Sequence, residues 1–141
     1  MIFSDSVRNK AIVSISNEFA WKLQDVYEAI KELTDNGYAI LGGDVWAVMS
    51  KQSGNLPLTY ISPSEIAVGI IRGRNGVDYV FNWYSNKIIS ETWEDFVKRA
   101  KEETITSIRK LNAEQVVADE FKENIYYNLV YTDQVGYAKL K

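Results

Sequence analysis

The stretch Asp35-Asn36-Gly37-Tyr38-Ala39-Ile40-Leu41-Gly42-Gly43-Asp44-Val45-Trp46 limits the fold more than any other part of the chain. Asn36-Gly37 supplies the left-handed backbone that closes a helix, because glycine carries no Cβ to clash. Residues 38–41 form a short apolar run between breakers, which predicts a buried strand. Gly42-Gly43 then lets the backbone bend or bulge, or lets another segment approach closely. Asp44 stands beside that break, with Trp46 two residues further on. One reading of Gly42-Gly43-Asp44 is a turn or bulge, with Asp44 accepting from local backbone N–H groups. The other places Asp44 and Trp46 on a recognition surface.

Before this stretch, residues 22–35 predict an amphipathic helix. Leu23, Val26, Tyr27, Ile30 and Leu33 recur at three- and four-residue spacing, and Glu28 and Lys31 form a surface pair. Residues 5–16 carry a mixed pattern that predicts a short helix, and residues 16–21 a connector with Phe19 and Trp21 turned inward. After the glycines, residues 45–49 predict a second strand and residues 50–57 a polar loop. Residues 58–61 predict a short strand or extended segment, and residues 62–65 a turn. Residues 66–72 and 77–84 predict strands joined by a hairpin at Asn75-Gly76. In the second of these, Val77, Tyr79, Phe81 and Trp83 share the core face, leaving Asn82 and Tyr84 on the wetter one.

Thr92-Trp93-Glu94-Asp95 starts the longest predicted helix, residues 92–111. Its apolar stripe is Trp93, Phe96, Val97, Ala100, Thr104, Ile108 and Leu111. Residues 113–124 predict a connector or short helix. Residues 125–132 predict a strand with Tyr127, Leu129 and Tyr131 on one face and Tyr126, Asn128 and Val130 on the other. Residues 135–140 predict a returning edge strand. The order of elements predicts an α+β fold: a largely antiparallel sheet with two main amphipathic helices packed against it, in one domain over residues 1–141.

The chain has no cysteine and no histidine. That removes disulfides, thiolate and histidine-dependent nucleophilic machinery, and nearly every transition-metal site. Carboxylate chemistry survives, with Asp44 beside Asp78 or Glu65 as the available pairs. The net charge of −3 shows no basic face for nucleic acid. The two arginines flanking the hairpin, Arg72 and Arg74, lack the glycine spacing of a phosphate-binding loop. No stretch has the length of a membrane span, and the first residues do not read as a secretory leader, so a cytoplasmic protein is expected.

Four further segments carry a resemblance. Tyr27-Glu28-Ala29-Ile30, Ile40-Leu41-Gly42-Gly43-Asp44-Val45-Trp46, Asn82-Trp83-Tyr84 and Trp93-Glu94-Asp95-Phe96-Val97 together resemble the immunity protein 40 family, small bacterial antitoxins of polymorphic toxin systems. The likeness runs over roughly residues 20–112, and Lys22 departs from the Ser or Thr expected at a helix cap. The resemblance implies a non-enzymatic protein that binds a cognate toxin domain in the cytoplasm and blocks it, with no cofactor, metal, nucleic acid or membrane involved. It implies Asp44, Trp46, Asn82 and Tyr84 as toxin-binding positions, each of which also has a structural reading as a turn, core or strand-end residue. The alternative is a small-ligand-binding or regulatory α+β domain, with residues 50–65 covering a pocket.

Overall fold

The computed structural model describes residues 2–48, 59–61 and 66–140. The predicted segments 50–57 and 62–65, and the end of the second predicted strand at Met49, lie outside the described residues. In chain order the elements are α1 (Asp5–Asn9), β1 (Ile12–Ser14), β2 (Phe19–Trp21), α2 (Leu23–Asp35), β3 (Ala39–Val48), β4 (Thr59–Ile61), β5 (Ile66–Val68), β6 (Ile70–Arg72), β7 (Asp78–Val80), β8 (Asn82–Tyr84), α3 (Trp93–Leu111), α4 (Ala113–Val116), a 3-10 segment (Asp119–Asn124), β9 (Ile125–Thr132) and α5 (Gln134–Lys139). The architecture is α+β, a largely antiparallel sheet with helices packed against it.

The sheet runs β4-β1-β2-β9-β3-β5, and β8 also pairs with β3. The central strand β3 is continuous, which corrects the expectation of two strands separated by the double glycine. The glycines bulge the strand instead: its register against β9 shifts between Ile40 and Gly42. Gly42 takes up the irregularity at φ +155°, a backbone angle that a side chain would strain. Along its other edge β3 pairs first with β8, through residues 42–44, and then with β5, through residues 46–48. The fork lies at Val45, whose N–H donates to the Phe81 carbonyl (3.0 Å) and whose carbonyl accepts from Gly69 N–H (2.8 Å). Beyond the fork β6 and β7 pair with each other in a separate two-stranded sheet, and the turn at Asn75-Gly76 closes them as predicted. Val77 departs from the core face predicted for it and is exposed.

Helix α2 ends where Asn36-Gly37 requires it to end. Gly37 has φ +79°, and Tyr38 N–H donates to the Leu33 carbonyl (2.9 Å). Its surface ion pair joins Lys31 to Asp35 (2.8 Å) rather than to Glu28. Helix α3 starts at Thr92, whose hydroxyl accepts from Asp95 N–H (3.1 Å), a cap worth about 1 kcal/mol. The stripe predicted for it is buried except at Leu111, which is partly exposed.

Two further expectations need correction. Residues 5–16 hold only the short α1, then β1, and the expected connector includes β2. Strand pairing overrides the weak helical spacing there, with Ile12 opposite Ala20 and Val13 opposite Phe19. The expected edge strand at 135–140 is α5, capped by the Asp133 carboxylate on Gly136 N–H (2.7 Å). Tyr137 of α5 packs its ring against Trp93 and Phe96 at 5.7 and 5.6 Å between centroids.

Trp83 ties β8 to the helix layer. Its indole lies over Gly43 in β3, and its Nε1–H donates to the Thr104 hydroxyl of α3 (3.2 Å). A Cβ on Gly43 would meet the Asn128 carbonyl and come to 2.5 Å from the Trp83 ring. Gly76, at φ +81°, has open space instead. Gly43→Ala is therefore expected to destabilise the protein by more than about 3 kcal/mol, and Gly76→Ala by only about 1–2 kcal/mol. Urea unfolding of the two variants checks this; equal losses would show that the Trp83 contact is not tight.

Candidate functional site

The helices cover one face of the sheet. After the bulge, Val45 and Ala47 of β3 join the large core shared with α2, while Trp46 and Val48 face the other way. Directly opposed residues in antiparallel strands share a face. Three rows can therefore be read across the face that carries no helix among the described residues. Tyr84, Gly42 and Val130 form the first, Asn82, Asp44 and Asn128 the second, and Val68, Trp46 and Tyr126 the third.

All four residues singled out in the sequence thus fall on one face, in three adjacent rows. Their environments differ. Tyr84 is 79% exposed, Asn82 is exposed, Asp44 is half-buried and Trp46 is 2% exposed. Trp46 packs with Ile12, Ala20, Val48 and Tyr126, and its Nε1–H donates to Asp44 Oδ1 (2.9 Å). Its place is beneath the surface, holding Asp44. Burial pushes the Asp44 carboxyl above the usual carboxylate range; the Trp46 hydrogen bond works against that shift, and the Glu18 charge adds to it.

Other residues of this face, Asn128, Val130 and Val68 among them, were not singled out in the sequence. Asn128 is buried and donates from Nδ2 to the Phe19 carbonyl (2.9 Å), joining β9 to β2. Val130 and Val68 are 46% and 48% exposed. Alternation along β9 put Asn128 and Val130 on one face, but nothing local shows that β9 lies beside β3.

The exit from β8 is pinned. Ser85 N–H donates to the Leu41 carbonyl (2.9 Å), and Ser85 Oγ donates to Glu103 (2.7 Å). Arg99 of α3 donates to both carboxylate oxygens of Glu91 (2.8 Å each) and to the Asn86 carbonyl (2.6 Å). This bidentate pairing is the main reason that the Glu91 carboxyl is held down to about 2. Asn82 and Tyr84 are therefore presented from a strand fixed at both ends.

The immunity protein 40 family model matches residues 9–131, from the end of α1 to the penultimate residue of β9. The chain belongs to the immunity protein 40 family. The match extends beyond residues 20–112 at both ends and includes every strand of the sheet. No curated protein and no solved structure matches the chain.

Other chemistry has less support in this immunity protein 40 family member. Clefts of about 400 and 390 Å³ lie beside Lys22, Tyr27 and Glu114 and beside Thr34, Trp93 and Lys98, and none of the four candidate residues lines either. Asp78 lies opposite Arg72 in the separate β6–β7 sheet, and Glu65 is outside the described residues. Among the described residues no cluster of carboxylates is arranged to hold a metal ion, and no helix is long and apolar enough to cross a membrane.

Because folding raises the Asp44 pKa, the folded state holds that proton more tightly than the unfolded chain. Stability from this group is full below the unfolded value of 3.8 and is lost as pH rises through the folded value. Asp44→Asn keeps an acceptor for the Trp46 indole and removes the charge. It is expected to match or exceed the parent in melting temperature at neutral pH, with the gap closing in acid. Melting curves over about pH 3 to 8 check this; a variant less stable at neutral pH would make the Asp44 charge a structural requirement.

Proposed function

We propose that this chain is an antitoxin that binds a cognate polymorphic toxin domain in the cytoplasm and neutralises it by surface occlusion, without catalysis. The observation that carries this reading is the sheet face without a helix among the described residues: an exposed tyrosine and asparagine beside two exposed valines, around a half-buried carboxylate. An exposed aromatic on a rigid strand, with aliphatic neighbours and hydrogen-bonding groups, is the composition expected at the centre of a protein interface. Tyr84 offers much contact area with little entropy to lose, because its backbone is already ordered. Family membership supplies the kind of partner. Asp44, Asn82 and Tyr84 make the contacts in this reading, and Trp46 supports Asp44 from below.

The test is co-expression with toxin genes adjacent to this one, followed by calorimetry on the purified pair. The parent is expected to rescue growth and to bind with one-to-one stoichiometry. Tyr84→Ala combined with Asn82→Ala is expected to weaken binding by about 2 kcal/mol or more, some 30-fold, with the fold retained by circular dichroism. Failure to rescue against every neighbouring toxin would overturn the function. Rescue lost through Ile89→Ser, in the exposed segment after β8, with Tyr84→Ala and Asn82→Ala silent, would move the interface to that segment.

A further inference from the structure

The segment between β8 and α3 contains a tight turn whose centre is occupied against local preference. Glu91 N–H donates to the Ile88 carbonyl (3.0 Å), so Ile89 and Ser90 are the two central residues of the turn. Glycine, proline, asparagine, aspartate and serine favour such positions; a β-branched apolar residue does not. Ile89 is 95% exposed and Ile88 56% exposed, so neither side chain serves the core. The backbone that carries them is held at several points. Arg99 of α3 donates to the Asn86 carbonyl (2.6 Å) and to the Glu91 carboxylate (2.8 Å). Glu91 in turn accepts from Ile88 N–H (3.2 Å), and Lys87 N–H donates to the Tyr137 hydroxyl of α5 (3.4 Å). The result is a fixed apolar projection, which gains from burial with little ordering cost.

We infer that Ile89, with Ile88 beside it, is a knob that enters an apolar pocket on the toxin domain. This rests on the proposed toxin binding and extends its surface along the chain from Tyr84. The five-residue step from Tyr84 to Ile89 spans at most about 18 Å. A standard interface covers about 800 Å² on each partner, a patch roughly 30 Å across, so one toxin domain reaches both. Pockets on folded domains are concave, mostly apolar and largely preformed, which is what a rigid isoleucine fits. Branching at Cβ also leaves the side chain little rotamer freedom to lose. A second copy of this chain is a poorer occupant. Seating the knob elsewhere on the next copy is a head-to-tail contact, which links copies into rings or filaments.

Calorimetry with the inactivated toxin domain encoded next to this gene, titrated into the parent, Ile89→Asn and Ile89→Leu, tests the knob. Asparagine suits the turn, so Ile89→Asn is expected to melt at or above the parent temperature. The same variant is expected to weaken binding at least about tenfold, the loss of one buried aliphatic side chain. Ile89→Leu keeps the apolar volume and is expected to retain most of the affinity. Parent binding with Ile89→Asn within about twofold overturns the knob and leaves toxin binding standing. Failure of the parent to bind overturns both. A clearly lower melting temperature for Ile89→Asn also overturns the knob, because the isoleucine then has a structural task. Sedimentation of the free chain completes the series. No self-association that depends on Ile89 is expected; self-association abolished by Ile89→Asn would give the knob to a second copy instead.

Discussion

The packing of Trp83 onto Gly43 is the contact on which the rest depends. It requires a position in the central strand with no side chain, and β3 supplies one at Gly43. The indole fills the space, takes a hydrogen bond to Thr104 and so joins β8 to both β3 and α3. A buried tryptophan of this kind is worth about 3–5 kcal/mol against alanine. With Trp83 turned inward, strand alternation turns Asn82 and Tyr84 outward. The same contact that completes the core therefore sets what the open face displays.

Much of this was legible in the chain. Helix α2, its stop at Asn36-Gly37, the stripe of α3 and the Asn75-Gly76 turn all follow from local rules, and the structure has them. The double glycine was legible as a bulge or close approach, and it is both. The continuity of β3 was not, because the pairing that runs on past the bulge is with β9, a strand distant in sequence. The fork at Val45 is likewise a three-way meeting of Val45, Gly69 and Phe81 that no local pattern contains. The N-terminal strands and α5 were misread for the same reason: their patterns are short, and pairing or packing with remote residues decides them.

The candidate surface was legible in part. Alternation alone put Asn82 and Tyr84 outward, and the sequence set Asp44 beside the glycine break with Trp46 two residues on. That the two pairs share a face depends on register, with Asp44 opposite Asn82. Burial then divides roles that the sequence left together: Trp46 lies under Asp44, while Tyr84 stands in solvent. A preformed surface of this kind is suited to recognition by fit. Its strands are held by β9, by the fork and by the Arg99 clamp, so little ordering cost remains when a partner docks.

The most direct measurement is amide hydrogen exchange on the chain with and without its bound toxin domain. The account predicts new protection along β8 and in the 128–130 region of β9, with the solvent side of α2 and α3 unchanged. Protection confined to those helices, with β8 exchanging as in the free protein, would contradict it.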